Sequence, residues 1–443
     1  MRGVFQEDKA LWRLALPMIL SNVSVPLLGV VDTAVIGHLD SPVYLGGVAV
    51  GSMATTFLFM LLLFLRMSTT GLCAQAFGAA DRPALARALV QPLIMALLAG
   101  VGIILLRQPL SALMLQIVGA EAAIQTQAQL FMHIRWLSAP ATLTNLVILG
   151  WLLGVQYARA PVLLLIVGNA VNIALDLWLV VGLGWKVAGA AWATVIADYV
   201  TLLMGGALLL HVMRLRGLRR AHFRHAWRGN LHRLLALNRD IMLRSLLLQL
   251  CFASLTVIGA RLGADVVAVN AVLMNLLTFT AYALDGFAYA VEAYSGQAFG
   301  ARDGSALRRV WHAACRQAGA VALLFALAYG LFGRAIVNLL TSLPQVQTLA
   351  LDYLPWQTVL PLLGVWCYLL DGMFIGATRG ADMRNSMAVA ALGYGITLLS
   401  IPWLGNHGLW LALAVFLTLR GLSLWLIWRR RWRTQRWFPA GAA

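Results

Sequence analysis

Asp32 stands in the stretch PMILSNVSVPLLGVVDTAVIGHL, residues 17–39, and no charged residue lies between Leu14 and Val31. A carboxylate at membrane depth costs at least ~2.5–3.5 kcal/mol, so it faces a cavity, pairs, or takes a proton. The plainer reading is a polar residue near a helix end that reaches water. Asn172 and Asp176 fall four apart in GNAVNIALDLWLVVGLG, residues 168–184, which places both on one face of a helix. Together with Asp32 they could hold a hard cation through oxygen ligands or share a proton. Two carboxylates in a low-dielectric cleft repel, so one should carry a proton near neutral pH. Protonation and cargo would then compete for the same groups and bias a bundle with two states. The alternative is that Asn172 and Asp176 bridge helices as polar glue, a role that suits Thr194 at least as well.

A second set lies further along. Tyr282, Asp285, Tyr289 and Glu292 are spaced by three, four and three residues, again one helical face. Aromatic rings beside carboxylates receive an organic cation through cation–π and Coulomb attraction, and Asp371 is a further candidate for this cavity. Against this, Glu292 could simply meet water and Asp285 could pair with an arginine. Arg66, inside an apolar run, is one such partner unless it snorkels.

The elements that must carry these residues are set by composition. Hydrophobic residues make up 61% of the 443-residue chain and charged residues 11%, against a usual ~45–50% and ~25% in soluble domains. Apolar runs predict twelve membrane-spanning helices near residues 11–38, 44–72, 86–107, 124–154, 160–183, 187–213, 238–260, 265–297, 307–335, 347–378, 385–404 and 408–428. The runs are long and continuous, so an all-α polytopic protein is expected rather than a barrel. Pro17, Pro26, Pro361 and Pro402 sit inside spans, where each removes a backbone donor and permits a kink.

Arginines crowd the connections that follow even-numbered helices. The longest connection carries Arg214, Arg216, Arg219, Arg220, Arg224, Arg228 and Arg233, and the tail carries Arg429, Arg430, Arg431, Arg433 and Arg436. The opposite side shows Arg107, Lys186, Arg261 and Arg334. Both termini and the central linker are therefore expected on the cytoplasmic side of the membrane. Beside membrane helices a basic run is read as a topology and anionic-lipid signal, so no nucleic-acid partner is expected. Cys73, Cys251, Cys315 and Cys367 lie in apolar runs without close Cys or His neighbours, which supports neither disulfides nor a zinc site. The N-terminus lacks the short apolar core and cleavage site of a signal peptide.

The chain also repeats itself at a shift of 222 residues. Residues 75–79, QAFGA, recur at 297–301; Asp81 matches Asp303, Arg87 matches Arg309, and Gly150 and Gly154 match Gly372 and Gly376. Each half holds six spans, so the halves enter the membrane in the same sense, an organisation typical of secondary transporters. Asp32 corresponds to Ser254 and Asp176 to Leu398, so these carboxylates belong to the first half alone.

ALPMILSNVSVPLLGVVDTAVIGHL, the paired QAFGA, WLLGVQYARAP, GNAVNIALDLWLVVGLG and LLDGMFIGATRG, in that order over the whole chain, resemble the multidrug and toxic compound extrusion (MATE) transporter family, and within it the DinF branch. The resemblance implies two pseudo-symmetric six-helix bundles in a V-shaped arrangement. These bundles would occupy residues 1–213 and 238–428, with a basic linker at 214–237 and a basic tail at 429–443. It further implies export of amphipathic or cationic organic compounds in exchange for protons or sodium. A first-helix aspartate of that branch matches Asp32, and the proline that bends this helix matches Pro17, with Pro26 beyond it. An Asn and Asp on helix five and a Thr on helix six, a cation site, match Asn172, Asp176 and Thr194. Where the sodium-coupled branch carries a glutamate in helix seven, this chain has Phe252 or an apolar neighbour. The expectation is a proton-coupled antiporter without cofactor, working as a monomer among membrane lipids, with small organic compounds as cargo. Sodium coupling at Asp32, Asn172, Asp176 and Thr194 is one alternative. A flippase of lipid-linked precursors is another, and the acidic interior counts against it. No nucleophile–base pair or phosphate loop supports an enzyme.

Overall fold

A computed structural model describes residues 2–439, the side chains of 2–5 and 27–30 excepted; the last four residues of the expected tail lie outside the description. Among the described residues, twelve helices are long and apolar enough to cross a membrane. They are α1 (Gln6–Gly37), α2 (Pro42–Gly78), α3 (Arg82–Leu105), α4 (Ala122–Gly154), α5 (Arg159–Gly182), α6 (Lys186–Leu215), α7 (Leu231–Leu262), α8 (Ala264–Gly300), α9 (Gly304–Leu340), α10 (Pro344–Gly376), α11 (Gly380–Leu404) and α12 (Asn406–Arg433). Every expected span is present, and most extend several residues beyond their apolar stretch because polar caps continue the helix. Asp81 and Asp303 accept from the backbone N–H of Ala84 and Ala306 at 3.2 and 3.0 Å, starting α3 and α9 in the same way.

The repeat is visible in the packing. A Cβ on Gly150 would stand 2.6 Å from the carbonyl oxygen of Arg66, and one on Gly372 would stand 2.6 Å from that of Ala288. Arg66 and Ala288 are themselves 222 residues apart, so the same backbone approach is built twice, and only glycine permits it.

The chain divides into two compact units, residues 23–232 and residues 1–22 with 233–443. This differs from the division at residue 213 that the spans suggest. The first turns of α1 join the second unit because their side chains find partners there: Trp12 Nε1 donates to Gln317 Oε1 at 2.9 Å and Tyr294 Oη donates to the Ala10 carbonyl at 2.8 Å. Gly286 leaves room for them, since a Cβ there would come within 2.9 Å of Ile19 N. α1 runs as one helix through Pro17 and Pro26.

The connection between α6 and α7 is ordered onto the first unit. Arg216 Nη2 donates to the Val155 carbonyl at 2.8 Å, satisfying the end of α4, and Gln91 Nε2 donates to the Gly229 carbonyl at 2.7 Å. The tail is likewise shorter as a free segment than its charge suggests. α12 continues to Arg433, after which Trp437 is buried against Phe374 and Phe299 with ring centroids at 5.0 and 6.3 Å.

Candidate coupling site

Within the first unit, the second half of α1 and α5 bring Asp32 and Asp176 together, with Asn172 one turn before Asp176, while Thr194 on α6 lies one turn from Ala190, which packs with Ile36 and Val180. Asp176 and Asn172 are 1% and 4% exposed, and Asp32 is half-buried. The Asp32 carboxyl lies within hydrogen-bonding and Coulombic reach of Asp176. Asp32 Oδ1, Asn172 Oδ1 and both carboxyl oxygens of Asp176 are buried and receive no hydrogen bond. Orphaned buried oxygens of this kind are rare and costly, and two bare carboxylates are costlier still. A proton shared between the carboxyls supplies the missing donor; a small hard cation would instead be coordinated by the oxygens. Thr194 Oγ1 donates to the Ala190 carbonyl at 3.3 Å, one turn back on its own helix, so its proton is spent locally.

Local backbone geometry sets this layer. Directly after Asp176 the helix widens into a π-helical segment, Leu177–Gly182, with Leu183 N bonded to the Trp178 carbonyl at 2.9 Å. Such wide turns frequently mark functional sites. One turn beyond each site residue, Ile36, Val180 and Ala190 form a buried apolar cluster with Tyr44 and Val48 packed against it. These three are Asp32 plus four, Asp176 plus four and Thr194 minus four. Because α6 runs opposite to α1 and α5, all three lie on the same side of the carboxylates. Beyond them, Lys186 Nζ donates to Tyr44 Oη at 3.0 Å.

Asp198 on α6 is a third carboxylate inside the spans of this unit and is not among the expected site residues. It is fully engaged: Arg135 Nη1 lies 3.1 Å and Thr142 Oγ1 2.9 Å from Asp198 Oδ2. Arg66 is 3% exposed and donates to Thr70 Oγ1 at 3.4 Å, so it does not snorkel.

In the second unit, Tyr282, Asp285, Tyr289 and Glu292 share α8 as expected, with Glu292 buried rather than meeting water and the other three half-buried. Asp371 on α10 is committed elsewhere. Its Oδ2 accepts from Arg244 Nη2 on α7 and Arg420 Nη2 on α12, both at 2.7 Å, and all three side chains are at most 10% exposed. Asp285 lies within Coulombic range of this triad and of Glu292. Asp371 therefore holds two guanidiniums instead of lining an acidic cation cavity, because a buried arginine without a counter-charge is prohibitive. Sequence signals for this pairing existed in Arg244 and Arg420, each a charge within an apolar run. Phe252 packs edge-on to Phe416 at 6.3 Å, so the helix-seven position is apolar here. Among the described residues no three His, Cys, Asp or Glu side chains converge as a metal site.

The MatE family model matches residues 17–178 and again residues 241–403, one match in each half of the repeat. The chain belongs to the MatE family of multidrug and toxic compound efflux transporters. It is 70% identical to DNA damage-inducible protein F of Escherichia coli (strain K12) over 433 residues, 98% of this chain and 94% of that protein. It is 25% identical to the probable multidrug resistance protein NorM of Acinetobacter baylyi over 430 residues, 94% of each. Among solved structures, an outward-facing multidrug resistance MATE family transporter matches with TM-score 0.87 at 23% identity, over 97% of this chain and 96% of that one. A MOP superfamily transporter from Pyrococcus furiosus matches with TM-score 0.86 at 21% identity, over 96% of each. At those identities the structures share the MATE fold. Members of the family are transporters, and the kinship with the DinF branch expected from the motifs holds.

Proposed function

We propose that this MATE protein is a proton-coupled antiporter of the bacterial cytoplasmic membrane that exports amphipathic or cationic organic compounds. The observation that carries the reading is the set of buried oxygens on Asp32, Asn172 and Asp176 that no protein donor reaches. A shared proton removes one of two repelling charges and creates the absent O–H donor, so proton occupancy changes the energy of this layer by several kcal/mol. Alternating access follows if the protonated and deprotonated layers favour different bundle arrangements. The four residues of α8, Tyr282, Asp285, Tyr289 and Glu292, remain the proposed cargo surface.

Sodium in place of the proton is the second reading. Asn172 favours it, since an amide oxygen is a natural cation ligand and a shared proton does not require one. The deciding experiment is efflux of a fluorescent organic cation from proteoliposomes under a proton gradient alone and a sodium gradient alone. The parent should export under the proton gradient, and Asp32→Asn should lose at least nine-tenths of that rate, roughly the 1.4 kcal/mol that a tenfold change represents. Undiminished proton-driven export by Asp32→Asn would overturn the assignment; export under sodium alone would replace the ion and leave the site standing.

A further inference from the structure

At the start of α9, Gly304, Ser305, Arg308, Arg309 and His312 enclose an open pocket of about 390 Å³ with Trp432 from the last turns of α12. Its chemistry is cationic and aromatic. The Arg308 guanidinium stands 5.1 Å from the centre of the Trp432 ring, and Trp432 in turn stacks on Trp428 at 5.7 Å. Two carboxylates border the site and both are occupied: Glu7 Oε1 pairs with Arg309 Nε at 2.8 Å, and Asp303 caps the Ala306 N–H at 3.0 Å. Among the described residues Arg308 meets an aromatic face and no carboxylate. The pocket therefore offers one guanidinium, Arg308, that no carboxylate of the described residues pairs, at the end of two membrane-spanning helices.

The repeat sharpens the contrast. Arg87, the counterpart of Arg309, lies under the backbone of Gly229, and Gln91 one turn on ties that same residue down at 2.7 Å. Chain fills in the first unit what is open in the second. Along α9 the exposed face then changes character. Past Arg316, bonded to Asp8 at 3.2 Å, it presents Ala320, Leu323, Leu324, Leu327 and Leu331, with the four leucines 50–75% exposed. Basic and aromatic groups at a span's end, followed by an apolar face over about 18 Å of helix, match the order of phosphate and acyl chain in one leaflet.

We propose that this pocket binds the phosphate of an anionic phospholipid, whose acyl chains lie along the leucine face of α9. Arg308 supplies the unpaired charge, Arg309 adds the guanidinium N–H groups that Glu7 leaves free, Ser305 and His312 supply hydrogen bonds, and Trp432 walls the headgroup at the interface.

The test uses the full-length protein in detergent, with bound lipid counted by native mass spectrometry after addition of phosphatidylglycerol or phosphatidylcholine. The parent should retain phosphatidylglycerol preferentially. Arg308→Gln with Arg309→Gln should weaken that retention by roughly fivefold for each arginine removed. Arg430→Gln with Arg433→Gln, which removes the same charge from the neighbouring helix end outside the pocket, should weaken it far less. All these side chains are exposed, and unchanged thermal unfolding verifies each fold. Equal retention of the two lipids by the parent overturns the proposal without reference to any variant. So does an equal effect of the two variant pairs, which would mean general surface attraction. Displacement of the lipid by millimolar inorganic phosphate would assign the pocket to a free anion and overturn the lipid.

Discussion

Asp176 and Asp198 sit on adjacent helices of one unit and meet opposite conditions. Asp198 has Arg135 and Thr142 on one oxygen, while neither oxygen of Asp176 has a donor. A carboxylate retained without partners is a cost to the fold, so Asp176→Asn should leave thermal stability unchanged or raised while abolishing gradient-driven efflux. Asp371→Asn should do the reverse to stability. Its carboxyl holds Arg244 and Arg420, and removing it strands two buried cations at a cost of ~3–5 kcal/mol. Thermal unfolding of the two purified variants checks both statements, and a larger loss in Asp176→Asn than in Asp371→Asn would reverse the assignment of coupling and structural roles. Asp32 and Asp176 were legible in the sequence because each is a lone carboxylate in an apolar run, where burial alone raises the question. Asp371 was misplaced for a related reason: its partners lie 127 and 49 residues away in the chain, and no local spacing points to them.

Among the elements, α5 and α6 differ from uniform spans in ways that matter to transport. The π-helical turn after Asp176 re-aims the helix where the carboxylates meet, and Ile36, Val180 and Ala190 close the layer one turn beyond. If protons reach the carboxylates as proposed, this apolar cluster would interrupt the water chain they follow on that side. Ile36→Ser combined with Val180→Ser should therefore raise cargo-independent proton leak, read as faster collapse of a pH gradient across proteoliposomes with no substrate present. A leak equal to the parent's would show that the barrier lies elsewhere. The existence and number of the spans were readable from apolar length, because hydrocarbon demands about twenty such residues whatever the packing. The breaks inside them were only partly so. The turn at Leu62–Leu63 in α2 and the π turn in α5 have no proline beside them, whereas the 3₁₀ turn at Trp136–Ser138 in α4 comes just before Pro140, which lacks the N–H that would bond the Trp136 carbonyl. Proline is an uneven guide: the 3₁₀ turn at Leu398–Ser400 in α11 likewise precedes Pro402, while α1 runs through Pro17 and Pro26.

For the whole molecule, duplication was the most readable feature, since a constant shift of 222 residues needs no knowledge of contacts, and the twin glycine approaches on Arg66 and Ala288 reproduce it in space. Assignment of residues 1–22 to the second unit was hidden, because it depends on pairings such as Trp12 with Gln317 across 305 residues. Orientation remains an argument from charge. Seven arginines between residues 214 and 233 lie in or beside the connection that joins the two halves, and Arg429, Arg430, Arg431 and Arg433 close α12 on the same side, since the intervening number of spans is even. Retention of Lys and Arg on the cytoplasmic side then predicts that both ends and the connection lie inside. His225, exposed in that connection, reports on this directly. In a Cys315→Ser background, which leaves three buried thiols, His225→Cys should react with a membrane-impermeant maleimide in inverted vesicles and not in intact cells. Labelling of intact cells would turn the transporter over and, with it, the direction of the proposed export.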